Sequence, residues 1–184
     1  MPRVGLDRAT VVAAAAVVAD EHGFASLTMA LVAQRLGVRT PSLYKHVDSL
    51  AALQQGIAVL AATEMGDALR DAMQGVAGRD ALTAAARVIR SYVTDHPGRY
   101  AATVGAALDA EFEASSARVL ESLSAALRGY RIDPAEQIHA LRTLRSALHG
   151  FATLQQANGF QMEADIDKSF AWMIDFFDRG LRRA

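Results

Sequence analysis

Between Ser42 and His46 the stretch "SLYKH" places a hydroxyl, a phenol, an ammonium and an imidazole. Such groups hydrogen-bond to phosphate oxygens and to base edges. The same stretch keeps Leu43 and Val47 four residues apart on one helical face, while Ser42, Lys45 and His46 share another. Thr40 and Pro41 read as an N-cap followed by proline at the first helical position. The expectation is a helix of about one and a half turns, docked by two aliphatic side chains and polar outside.

That helix needs a partner to hold it. Thr28 caps a preceding helix to about Leu36, in which Ala33 is small enough for a close crossing. Gly37 follows and suits the left-handed residue of a tight turn. Two short helices joined in this way form a helix-turn-helix, whose second helix enters the DNA major groove. Ser42, Tyr44, Lys45 and His46 then face the duplex. Plainer readings stand beside this one: Tyr44 covering a core edge, His46 inert at the surface, Lys45 an ordinary solvated charge.

Helix signals also cover the rest of the chain, and no strand-like alternation persists, so the fold class is all-α. A first helix runs from Asp7 to about His22 and is closed by Gly23. Ser49 caps a long fourth helix carrying Leu50, Leu53, Ile57 and Leu60, and Gly75 and Gly78 interrupt the pattern. Further helices span about 80–94, 97–105, 109–129, 134–157 and 166–181. The expected domains are 1–48, a helix-turn-helix unit, and 49–184, a helical ligand-binding and dimerisation unit.

The segment "LDRATVVAAAAVVADEHGFASLTMALVAQRLGVRTPSLYKHV", Leu6 to Val47, resembles the tetracycline-repressor (TetR) family of bacterial regulators. The resemblance rests on "GFASLT", "AQRLGV" and "LYKHV" in the family's order and spacing. It implies about nine helices, a homodimer, an N-terminal DNA-binding domain and a C-terminal ligand pocket. It also implies that Thr28 contacts backbone phosphate, that Thr40, Ser42 and Lys45 face bases or nearby phosphates, and that Tyr44 and His46 meet phosphate or sugar. With Arg39 these residues make up the expected DNA-binding set. One position departs from the family: Leu50 stands where a phosphate-touching lysine is common, which lowers the expected salt dependence. Farther on, "LHGF" and "HPGRYAA" resemble the Trp-His-Gly subgroup of C-terminal domains, with Leu148 in place of the tryptophan.

The last two helices are apolar on more than one side, and such helices are buried on two sides. Ile138, Leu141, Leu144, Leu148, Phe151 and Leu154 cover more than one stripe of the first, with small Ala140, Ala147 and Gly150. In the second, Trp172 and Phe176 fall beside the core register of Phe170, Ile174, Phe177 and Leu181. Two such helices per chain suit a symmetric four-helix interface between copies. The expected interface residues are Leu144, Ala147, Phe151, Leu154, Trp172 and Phe176. Candidate ligand-binding residues are Tyr92, Tyr100, Val104, Leu108, Phe112, His149 and Gln155, since aromatic walls with few polar groups suit a small apolar ligand. Their plainer reading is core.

Composition excludes other classes. The 184 residues include no cysteine, so there is neither a disulfide framework nor a thiolate metal site, as suits a reducing cytoplasm. "EADID" lacks the glycine and closing glutamate of a calcium loop, and His139 and His149 are not at zinc-pair spacing. No metal, cofactor or catalytic residue is expected, and no apolar run is long enough to cross a bilayer. The first 23 residues share features with a secretory signal, but the run Val11–Ala19 is short and alanine-rich, so a packed helix is expected instead. Residues 1–47 carry Arg3, Arg8, Arg35, Arg39 and Lys45 against Asp7, Asp20 and Glu21, so +5 − 3 = +2, and the remainder is −3 for a net −1. The sequence thus predicts a cytoplasmic, dimeric transcription regulator that binds palindromic double-stranded DNA, a repressor released by a small effector of unknown identity. The rivals are an orphan DNA-binding regulator without ligand and a small helical enzyme carrying a helix-turn-helix.

Overall fold

Asp7 closes the start of the first helix, its carboxylate accepting from the Thr10 N–H at 2.7 Å. In the computed structural model, which describes residues 6–183, the helices among the described residues are α1 (Arg8–His22), α2 (Met29–Leu36), α3 (Thr40–Leu43), α4 (Leu50–Ala72), α5 (Gly78–Asp95), α6 (Pro97–Thr103), α7 (Ala110–Leu127), α8 (Gln137–Gln156) and α9 (Ile166–Leu181). No strand occurs among the described residues. Arg3, part of the charge count above, lies outside them.

Most helix starts follow the expected chemistry. Thr28 Oγ1 accepts from Leu31 N–H at 3.3 Å and Ser49 Oγ from Ala52 N–H at 3.0 Å. Asp165 caps α9 by accepting from the Asp167 and Lys168 N–H groups. Two differences have local causes. A single 3-10 turn, Phe24–Ser26, stands between α1 and α2. The helix expected from Pro134 begins at Gln137 instead, because Asp133 ties up the preceding residues: its carboxylate accepts from Ala135 N–H and its carbonyl from Glu136 N–H, both at 2.8 Å.

By packing, the chain forms two units, and the division does not fall at Ser49. The first unit holds the chain up to Glu64 together with His96–Ser116; the second holds Met65–Asp95 and the chain from Ala117 onward. In the first unit Val11, Ala15 and Ala19 of α1, Val32 and Ala33 of α2, Leu43 and Val47, and Leu53 and Ile57 of α4 share one core with Ala102 and Phe112. In the second unit α5 packs on α8 and α9, burying Leu82, Ala85, Ala86 and Val93 with Leu144, Leu148, Phe170 and Ile174. There the Tyr130 hydroxyl donates to Asp178 at 2.8 Å and Arg182 Nε donates to the same carboxylate at 2.9 Å.

Candidate nucleic-acid interface

The site is built from the turn outward. Gly37 takes the left-handed conformation, φ 66°, and the Val38 N–H returns to the Ala33 carbonyl at 3.0 Å. This pairing reverses the chain after α2 and aims α3 across it. Leu43 is fully buried and Val47 is 4% exposed, so the segment is anchored at two points. Regular helix covers only Thr40–Leu43, but the His46 and Val47 N–H groups both bond the Leu43 carbonyl, at 2.9 and 3.0 Å, which carries the turn to Val47. The start differs from expectation. Arg39, extended at φ −83° and ψ 143°, is the N-cap, no side chain closes it, and Thr40 is already the first helical residue. Proline is tolerated one place later because the N–H groups of the first turn have no intrahelical partner in any case.

The outward residues are the expected ones. Tyr44 is 51% exposed, so it does not serve as a core cover. Arg39 and Lys45 are exposed, and Thr40, Ser42 and His46 are half-buried. Thr28 is exposed, and its oxygen, while accepting the cap bond, keeps an O–H to donate.

Ion pairing then concentrates the positive charge. Arg35 pairs with Glu21, and the Arg35 guanidinium holds the Glu21 carboxyl below the usual range. Arg8 pairs with Glu111 at 3.4 Å. Arg39 and Lys45 form no ion pair among the described residues, so the unneutralised cations of α1–α3 flank α3. Leu50, in the place of the absent lysine, packs partly buried against the core.

The ligand candidates do not gather. Val104 is 56% and Leu108 77% exposed, so neither walls a closed cavity. Phe112 belongs to the core of the first unit. Tyr92 and Tyr100 are buried, the first in the second unit and the other in the first. His149 is half-buried. Gln155 accepts from Arg90 Nε at 2.7 Å. Three open cavities of about 280, 280 and 360 Å3 in the second unit are lined by other residues, among them Phe160 and Met162 in one, His139 and Phe177 in the next, and Arg128 and Gln137 in the last.

The interface candidates separate in the same way. Leu144 is fully buried within its own unit, because a helix apolar on two sides has turned this side inward. Phe151 packs against Phe160 and Phe170, with ring centroids 4.9 and 5.2 Å away. Ala147 is half-buried. Leu154, Trp172 and Phe176 do point outward, at 50%, 63% and 56% exposure, and the two α9 rings stack at 5.6 Å. Selection by aromatic and aliphatic spacing missed Arg90, which lies over the Phe170 ring at 4.6 Å and is 2.7 Å from Asp167 Oδ1. Its only signal was register: position 90 falls four after buried Ala86 and three before buried Val93.

The family model described as "Bacterial regulatory proteins, tetR family" matches residues 11–53, and "Tetracyclin repressor-like, C-terminal domain" matches residues 82–177. An uncharacterized HTH-type transcriptional regulator of Bacillus subtilis (strain 168), YobS, is 33% identical over 98% of this chain and 95% of its own. The structure of BioQ with its double-stranded DNA operator has TM-score 0.71 at 25% identity, covering 98% of this chain and 100% of that one. A TetR variant from Acinetobacter baumannii AYE in complex with minocycline has TM-score 0.71 at 26% identity, covering 97% and 98%.

Proposed function

The chain belongs to the tetR family of bacterial regulatory proteins and is a DNA-binding transcriptional regulator, and we propose that it works as a dimeric repressor that grips a palindromic operator through α3 and is released by a small, mostly apolar effector. The observation that carries the DNA contact is the pairing of a fully buried Leu43 with exposed Tyr44 and Lys45 in one short segment. Packing holds the backbone while the polar side chains remain available. Lys45 and Arg39 supply the phosphate charge, Thr28 and Tyr44 set the register on the backbone, and Thr40, Ser42 and His46 lie where base edges or sugars pass.

Dimerisation through α8 and α9 is supported by the stacked, exposed Trp172 and Phe176 and by exposed Leu154. Two copies then present two α3 segments to half-sites about one helical turn apart or a multiple of it. Ligand release is supported by the minocycline complex of the relative; Tyr92 and His149, both in the second unit, are the groups retained as the effector's contacts. The 23 residues of α4 extend about 35 Å and begin three residues after Val47. A tilt at its far end therefore becomes a displacement of α3, and an effector that favours the tilted state by about 1.4 kcal/mol weakens DNA tenfold.

Selection of bound sequences from random DNA tests the first part. The expected product is a two-fold symmetric site whose binding is abolished when Ser42, Tyr44 and Lys45 are all changed to alanine in a folded protein. Unchanged binding by that triple variant removes α3 from the interface. For release, effector affinity measured by calorimetry with and without operator must differ by the factor that separates operator affinities with and without effector. Equal affinities remove the candidate effector from the scheme.

A further inference from the structure

The helix α6 has seven residues, Pro97–Thr103, too few to be stable alone in water. Its own N-cap, His96, makes no side-chain cap bond. The bond is supplied by another helix: the Asp20 carboxylate of α1 accepts from the Arg99 N–H at 2.8 Å. Counting from His96, Arg99 is the third helical residue, a position whose N–H a capping side chain ordinarily takes. Asp20 Oδ2 also lies 2.9 Å from Arg99 Nε and 3.4 Å from His96 Nδ1.

Asp20 sits two residues from the C-terminal end of α1, where a negative charge opposes its own helix dipole, and at the N-terminus of α6, where it is favoured. Gly98 makes the approach possible: a Cβ there would stand 2.0 Å from the Ala19 carbonyl oxygen and 2.5 Å from the Asp20 nitrogen, both backbone atoms that cannot swing aside. Arg99 then reaches on to α4, donating from Nη1 to the Glu64 carboxylate oxygens at 3.1 and 3.2 Å. One residue of α6 thus ties α1 to α4 inside the DNA-reading unit.

We propose that Asp20 is a latch that caps α6 in trans, so that the first unit has a docked state, in which Arg99 holds α1 and α4 at one spacing, and an undocked state, in which α6 frays and α4 loses its Glu64 tether. Asp20 is a positioning residue and touches no DNA. The latch stands on the geometry alone; its consequence for operator spacing rests on the function proposed above.

Hydrogen exchange on the full-length protein tests the latch without DNA. In Asp20→Ala the amides of Tyr100–Thr103 are expected to exchange at least about tenfold faster, with those of α2 unchanged, since local opening is read residue by residue. Asp20→Asn keeps a capping oxygen and should stay near wild type. Gly98→Ala should match Asp20→Ala even though alanine is the better helix former. Unchanged α6 protection in both the Asp20→Ala and Gly98→Ala variants overturns the latch. So does protection lost only in step with the whole unit, or an Asp20→Asn variant as unprotected as Asp20→Ala.

A second arm uses the selected operator and versions with half-sites one base pair closer or farther. Wild type should discriminate among them and Asp20→Ala much less. Equal discrimination by a variant that has lost α6 protection breaks the link to DNA spacing. A wild-type protein with no sequence preference counts against the proposed function instead, and exchange still decides the latch.

Discussion

The surface around α3 and the outer faces of α8 and α9 leave opposite kinds of residue uncovered. In the first, the core is closed and the outward residues around α3 are polar: Arg39 and Lys45 exposed, Tyr44 half out, Leu43 and Val47 sealed. In the second, a similar core is closed around Leu144, Leu148 and Ile174, yet Trp172, Phe176, Leu154 and Ile138 stay between 47% and 63% exposed. Exposed polar groups on an anchored backbone are a finished surface for a charged partner. Exposed stacked aromatics on a helix are an apolar patch of the kind that marks contact sites. Packing within the chain therefore accounts for the polar surface around α3 and leaves the stacked rings of α9 uncovered.

The sharpest way to break this contrast is at Leu43. Leu43→Ala removes a fully buried side chain and should cost roughly 2–5 kcal/mol, read as a lowered urea midpoint. DNA affinity should fall only as far as the folded fraction does. At Phe176 the prediction inverts: Phe176→Glu should leave the chain folded but weaken self-association by about 2–3 kcal/mol, because a charge enters a dry contact. Sedimentation checks it, and a wild-type protein that is monomeric at micromolar concentration removes the premise.

Lys45→Ala should leave both the fold and the dimer intact. If Lys45 meets phosphate, every DNA sequence weakens alike and the salt slope drops by about one. If it meets a guanine edge, one operator position relaxes by about 1–3 kcal/mol. Competition titrations at two salt concentrations separate these. Gly150 gives a smaller, signed test. A Cβ there meets nothing within 4 Å in the chain, so Gly150→Ala should stabilise α8 by up to about 1 kcal/mol. If the partner lies over it, the same methyl weakens the dimer. Stability and association moving in opposite directions would place Gly150 under the second copy.

The smallest effect is acid sensitivity of the second unit. The Arg182 hydrogen bond, with help from Tyr130, holds the Asp178 carboxyl below its ordinary value of 3.8. A depressed folded value contributes stability that is fully present above 3.8 and is lost as pH falls through the folded value. Asp178→Asn should flatten the acid limb of a pH-dependent melt and leave the neutral limb parallel to wild type.

How much of this was legible depended on the range of the cause. Caps at Asp7, Thr28 and Ser49 act over three residues, and the turn at Gly37 over five, so local residue types sufficed to place them. Leu43 and Val47 were readable because four-residue spacing defines a face. The packing of Leu144 and Phe151 within their own unit was not legible, because spacing shows that a helix has two apolar sides but not which one its own unit covers. Val104 and Leu108 at the surface and Phe112 in the core were not separable by spacing for a related reason. Whether an apolar residue lies in a core, at the surface or on a cavity wall is decided by distant segments, such as Ala102 and Phe112 arriving beside α1 and α4. Arg90 and Asp20 were passed over because their roles belong to contacts 65 and 79 residues away in sequence.

The membership of His96–Ser116 in the first unit bears on how such regulators are rebuilt. A chimera that grafts residues 1–48 onto a foreign sensor leaves behind Leu53, Ile57, Ala102 and Phe112, which complete the reader's core, along with Gln55 and the bonds it donates to the Ala107 carbonyl at 2.8 Å and the Asp109 carboxylate at 3.0 Å. The exchangeable module is therefore discontinuous: two stretches of chain that must be transplanted together, with joins inside α4, between α5 and α6, and inside α7 rather than in the loop before α4.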